Sequence, residues 1–158
     1  MNILVKDGEI VGVTELPSIS GYGVYPAPEG WDGELSRLRY TGSEVVLIPE
    51  EEWRELRLAE TRRQLIERLN AFTDEWFYHE ASLRGGYRNM GEILYDAETG
   101  DEDATFLKAL YDAVWSKEED LEGQLGELTL EELQGLDLES WAREAFEQVK
   151  SELEASGA

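Results

Sequence analysis

The hydrophobic pattern of this chain changes its period at Pro49. Before that residue, apolar positions come in short β-branched runs, Ile3–Val5 and Ile10–Val13, separated by Lys6-Asp7-Gly8-Glu9. Asp-Gly at the centre of such a spacer is a hairpin signal, because a type I′ turn needs positive φ at both central residues. Gly21–Tyr25 reads as a third strand, ended by Pro26-Ala27-Pro28-Glu29-Gly30. Leu38–Tyr40 and Val45–Ile48 read as a second hairpin across Thr41-Gly42-Ser43-Glu44. Gly30-Trp31-Asp32-Gly33 is turn material with one large anchor, Trp31, expected to cover the sheet.

After Pro49 the pattern is helical. Pro-Glu-Glu-Glu-Trp places a proline in the first turn and three acids where they complement the helix dipole. Leu58, Leu65, Phe72 and His79 fall seven apart, and Leu69 and Trp76 fill the other seam position, with Arg62 interrupting. This is a heptad seam of about two repeats, short for a coiled-coil oligomer and suited to a helix of an intramolecular bundle. Gly85-Gly86 breaks the helix near Leu83. A short helix is expected over Tyr87–Tyr95, an acidic turn over Asp96–Asp103, and a helix from about Ala104 to Gln124. The stripe of that helix is Leu107, Leu110, Val114, Leu121 and Leu125, widened by Phe106, Tyr111 and Trp115. Thr129-Leu-Glu-Glu132 is a capping box, in which a hydroxyl and a carboxylate satisfy two orphan backbone donors reciprocally. A last helix, about Leu138 to Leu153, carries Leu138, Trp141, Ala145, Phe146, Val149 and Leu153 on one face.

The predicted fold class is therefore α+β: a small N-terminal antiparallel β module over residues 1–48, then an α-helical bundle over 49–158. The β module is too small to be stable alone, so Trp31 and Trp53 are expected at its junction with the helices.

Charge adds a second layer. The chain has 36 acidic and 14 basic residues, a net charge of −22. Residues 96–158 hold 19 acids against 4 bases, so about two thirds of the excess lies in the last 63 residues. Such a surface repels nucleic acid and anionic membranes and attracts basic partners. Three readings fit: a solvated, solubilising helix face; adaptation to high salt, since only four of the 14 bases are lysine; or mimicry of DNA by carboxylates spaced like phosphates. An apolar fraction of 41% with five Trp and seven Tyr excludes a disordered acidic tail. There is no cysteine, which excludes disulfides, thiol nucleophiles and thiolate metal sites. The N-terminal apolar run is too short for a signal peptide and no 18-residue apolar stretch exists, so a soluble protein made in the cytoplasm is expected.

No catalytic site is legible. The only histidine, His79, stands in a His-Glu pair, but a zinc-protease helix needs a second His four residues on, where Leu83 stands. Counting from Asp96, the sixth and twelfth positions of a calcium loop fall on Asp101 and Leu107, not on the required Gly and Glu. No pair among the carboxylates stands out for glycoside hydrolysis, no Gly-x-Ser-x-Gly elbow exists, and Gly85-Gly86 lacks the Lys-Ser/Thr of a phosphate loop. Arg54, Arg57, Arg62, Arg63 and Arg68 are interleaved with glutamates, the pattern of a salt-bridged helix face and not of a nucleic-acid stripe. The expectation is no cofactor, no metal and no enzyme.

Residues 86–141 run from Gly86-Tyr87-Arg88-Asn89-Met90-Gly91-Glu92-Ile93-Leu94-Tyr95 through Ala104-Thr105-Phe106-Leu107 and Leu110-Tyr111-Asp112-Ala113-Val114-Trp115 to the Leu-Thr-Leu-Glu-Glu-Leu cap. This stretch resembles small accessory proteins encoded beside the tail-fibre genes of tailed bacteriophages. The N-terminal order of strand, Asp-Gly, strand, Val-Tyr-Pro-x-Pro-x-Gly-Trp, Leu-x-Tyr-x-Gly-Ser and Val-x-x-Ile-Pro is similar to the leader modules of such proteins. Where they have Trp-Arg-Asp-Ala-Val-Trp, this chain has Leu-Tyr-Asp-Ala-Val-Trp. The resemblance implies a non-enzymatic structural component of the tail or tail-fibre region, or alternatively a transient fibre-assembly chaperone, in the virion or the host cytoplasm. Its partners would be other tail or fibre proteins or further copies of itself, not nucleic acid or membrane. A docking face would be apolar or aromatic, with Tyr22, Tyr25, Trp31, Phe77 and Tyr78 as candidates, or would use edge strands of the β module. The competing reading is an acidic inhibitor seated in the basic groove of a nucleic-acid enzyme, whose binding would collapse with salt. A carboxylate-dependent hydrolase, a third class, would need an acid with a raised pKa in a cleft.

Overall fold

The computed structural model describes residues 1–157. Two compact units divide at Leu56. In the first, β1 (Asn2–Lys6), β2 (Glu9–Thr14) and β3 (Gly23–Pro26) form an antiparallel sheet in the order β2-β1-β3, and β4 (Leu38–Tyr40) and β5 (Val45–Leu47) form a separate hairpin. Asp7 and Gly8 both have positive φ, +53° and +80°, the geometry expected of an Asp-Gly hairpin turn. Ile3 pairs with Val13 on one side and Tyr25 on the other, so the central strand turns Ile3 and Val5 into an apolar cluster with Leu38 and Val45. A short 3-10 turn, Leu35–Arg37, leads into β4.

Helix α1 (Glu50–Gly85) starts within this first unit. The Pro49 carbonyl accepts the Trp53 N–H at 2.9 Å, so the proline stands just before the helix and not inside its first turn. The Arg37 guanidinium lies 4.8 Å from the Trp53 ring, the indole N–H donates to Ser36 Oγ at 3.3 Å, and Arg39 pairs with Glu52.

The second unit holds the rest of α1 with α2 (Met90–Glu98), α3 (Glu102–Leu125), α4 (Leu130–Gln134) and α5 (Leu138–Ala155). Leu65, Leu69, Phe72 and Trp76 are buried as the seam predicts, and Phe146 of α5 lies 6.2 Å from Phe72 and 5.5 Å from Trp76. Beyond Trp76 the seven-residue pattern ends: His79 is exposed, while Thr73, Phe77 and Ala81 are fully buried. A straight helix drifts by about 20° per heptad relative to a 3.5-residue repeat. Two helices also cover α1, with Phe77 packing 5.1 Å from Tyr111 of α3. Three ion pairs join α1 to α5: Arg68–Glu139 at 2.8 Å, Glu80–Lys150 at 2.9 Å and Arg84–Glu154 at 3.0 Å.

The helix termini follow local chemistry. Asn89, Asp101, Thr129 and Asp137 each accept the backbone N–H three residues on. At Thr129 the reciprocal bond from its own N–H to Glu132 completes the predicted box at 3.0 Å. The basic cluster on α1 is only partly an intrahelical charge ladder. Arg63 bonds Glu60 and Glu67, whereas Arg68 reaches α5 and Arg62 donates to the Leu128 carbonyl at 2.9 Å. Among the described residues, no helix is long and apolar enough to cross a membrane.

Candidate interaction site

The aromatic residues singled out above have different fates. In the first unit, Tyr25 and Tyr40 pack with ring centroids 5.1 Å apart and hydroxyls 2.8 Å apart. Because Tyr40 donates to the Gly42 carbonyl at 2.8 Å, Tyr25 is the donor between the two hydroxyls. Trp31 packs its ring against the same cluster and donates its indole N–H to the Glu34 carbonyl at 2.7 Å. Both are half-buried with satisfied polar tips, the state of aromatic residues that hold a small core together. Tyr22 is different: it is 39% exposed, and the Lys6 ammonium lies 5.2 Å from its ring.

In the second unit Phe77 is fully buried and belongs to the core, so it offers no docking surface. Trp76, Phe77, Tyr78 and His79 point through some 300° of the helix, and a helix packed on two sides must bury part of such a run. Tyr78 packs edge-on against Phe77 at 5.1 Å. Burial first, and the nearby Asp74 charge second, push its hydroxyl above the ordinary tyrosine range.

The exposed apolar side chains lie elsewhere. On the first unit they include Val11, Val13 and Leu16, between 45% and 57% exposed, besides Met1, Leu35 and Leu56. Val11 and Val13 stand on β2, an edge strand. The register slips opposite Leu4 and Val5, leaving Val11 without a partner in a bulge, while Gly12–Thr14 keep regular pairing with β1. Bulges of this kind are one way edge strands limit indiscriminate pairing. On the second unit, Leu83 is 71% exposed and Tyr95 is 70% exposed. Sequence periodicity could have found Tyr95: the buried residue of α2 is Ile93, and position 95 lies about 200° around the helix from it.

Tyr95 borders a cleft of about 490 Å³ at the turn from α1 into α2, lined also by Gly85, Gly86, Tyr87, Asn89, Gly91, Glu92 and Asp96. Gly86, at φ +72°, caps α1 by donating to the Ser82 carbonyl at 3.0 Å. A Cβ on Gly85 would lie 2.7 Å from Tyr87 Cε2, so the buried Tyr87 ring packs directly on the backbone. The Tyr87 hydroxyl donates to Asp96 Oδ2 at 2.6 Å; that bond, burial and the Asp101 charge raise its pKa.

No protein-family model, no curated protein and no solved structure matches this chain.

One ionisable group is out of place. Glu118 lies in the buried stripe of α3 at 2% exposure, between Val114 and Leu121, and its Oε1 has no hydrogen-bond partner among the described residues. Burial, then the hydrogen bond and charge of Glu122, push its carboxyl up to about 7. Nearby in sequence, the Trp115 indole N–H is also buried without a partner. Glu118 is not among the residues lining the groove between α3 and α5, which is bordered by Lys117, Leu121, Gln124, Trp141, Glu144, Ala145 and Gln148. No group of three or more His, Asp or Glu among the described residues is placed to hold a metal ion.

Proposed function

We propose that this protein is a non-enzymatic, tail-associated bacteriophage protein that acts through protein–protein contacts as a structural component of the tail or tail-fibre region. The observation that carries the reading is the outer edge of β2. It presents Val11 and Val13 at 49% and 45% exposure beside unpaired strand backbone, with Tyr22 as an exposed aromatic on the same unit. An edge with apolar side chains supplies main-chain hydrogen bonds for affinity and side-chain contacts for register, which is how strand addition recruits a partner. The sequence resemblance to fibre-associated accessory proteins supplies the biological setting. The strongly acidic surface favours partners with basic faces.

Mass spectrometry of purified particles from the encoding virus, beside the infected-cell lysate, tests this. A fixed copy number in the particle supports the structural role. Presence in the lysate alone, bound to a fibre protein, replaces it with an assembly chaperone. Absence from every tail complex overturns the tail reading and favours the acidic inhibitor, whose binding to a basic groove would be lost with added salt.

A further inference from the structure

We propose that the α1–α2 cleft is a receptor for a cationic side chain, an arginine or lysine carried on an exposed basic segment of a partner protein. This goes beyond the tail reading and does not depend on it.

The cleft has the size and both chemistries that such a group needs. It is a groove open to solvent over most of its surface, and its volume of about 490 Å³ leaves room for a guanidinium with its aliphatic stem. Of the three lining glycines, Gly85 makes room for the Tyr87 ring and only Gly86 faces open space. A Cβ at Gly86 would meet nothing within 4 Å, so this part of the wall is open where a side chain would otherwise project. Tyr95 stands at the border 70% exposed, a ring face available to a cation.

Glu92 and Asp96 supply the charge, one helical turn apart on α2. Tyr87 occupies one oxygen of Asp96, and the Arg88 N–H makes only a long 3.4 Å contact with one oxygen of Glu92. Asp101 and Asp103 add to the negative field felt at the Tyr87 hydroxyl. Among the described residues, no basic side chain lines the cleft.

The same features decide against other occupants. An anion at the start of α2 would meet the Glu92 carboxylate, and Asn89 already takes the Glu92 N–H at 3.0 Å. A bare metal ion would find two carboxylates with one oxygen engaged, short of the ligand set that hard cations require. An organic cation uses the ring and the carboxylates together. Because the chain carries −22, its basic partners are drawn in from a distance before the cleft selects one side chain.

The test is a titration of the full chain with N-acetyl-arginine amide, followed in ¹H–¹⁵N correlation spectra, with N-acetyl-citrulline amide as the uncharged isostere. Saturable shifts at the amides of Gly85, Gly86, Gly91 and Tyr95, with arginine and not with citrulline, are expected. Tyr95→Ala and Glu92→Gln should each weaken the binding by about threefold or more, while Glu55→Gln, at an exposed acid of the other unit, leaves it unchanged. Tyr95 is largely exposed, so its replacement leaves the core intact, and the spectrum of each free variant checks the fold. Non-saturating shifts spread along α3 and α5, equal response to citrulline, or insensitivity to both cleft substitutions would overturn the proposal. Particle composition decides the tail reading separately, so the two fail independently.

Discussion

At the scale of single residues, Glu118 is the sharpest departure from what its surroundings favour. It takes a position in the α3 stripe where leucine or valine stands on either side. The unfolded chain ionises this group near 4.5, and the folded chain holds its proton up to about 7. Between those values the folded state binds more protons than the unfolded one, so stability is complete below about 4.5 and falls as pH rises to about 7. Glu118→Gln removes the ionisation but keeps a donor toward Glu122. It should flatten this dependence and raise stability at pH 8 by about 2–3 kcal/mol, with little change at pH 4. Thermal unfolding of both proteins across that range checks it; an equal difference at every pH would refute the assignment. The lowered carboxyl of Glu139, held by Arg68, acts in the opposite sense but is exposed, and its contribution is small.

At the scale of elements, most boundaries are set by local chemistry. The Asp7-Gly8 turn, the Gly86 cap of α1 and the Thr129 box each satisfy backbone groups within a few residues. Helix α4 has only five residues and begins at that box, so it is the element most dependent on its cap. Thr129→Ala should lower global stability by about 1 kcal/mol, while Thr129→Ser should cost much less. Chemical denaturation of the three proteins measures this, and no loss on the alanine change would mean that Leu130 and Leu133 in the core hold α4 without the cap. The long α1 shows where an element-level reading stops. Its first buried stripe follows the heptads through Trp76, but Phe77 and Ala81 are buried because α3 covers a second face. Spacing along one helix does not reveal how many neighbours it has.

At the scale of the molecule, the net charge of −22 opposes compaction. The ion pairs between α1 and α5 draw on basic residues that the last 63 residues mostly lack, since Arg68 and Arg84 come from α1. Arg68–Glu139 and Arg84–Glu154 are partly exposed and worth little each, and only Glu80–Lys150 is mostly buried, so repulsion among the remaining carboxylates dominates the long-range electrostatics. Raising sodium chloride from about 10 mM to about 0.5 M shortens the screening length from roughly 30 Å to under 8 Å. The midpoint of thermal unfolding should therefore rise with salt. A fall would show that the attractive pairs outweigh the repulsion.

The sequence by itself determined the fold class, the order of the five strands and of the four longer helices, and the capping box that opens α4, because turn glycines, caps and the change of period at Pro49 act over a few residues. It placed some termini several residues off, since α2 begins at Met90 and not at Tyr87 and runs to Glu98 into the segment read as an acidic turn. It also determined the acidity and the absence of thiol chemistry. It did not determine which of the singled-out aromatic residues face outward: Phe77 is core, Tyr25 and Trp31 are structural, and Tyr22 is exposed. Nor did it reveal the cleft beside Tyr95 or the burial of Glu118. Those outcomes depend on which helix covers which face, a property of contacts between residues far apart in the chain, and only the tertiary structure fixes them.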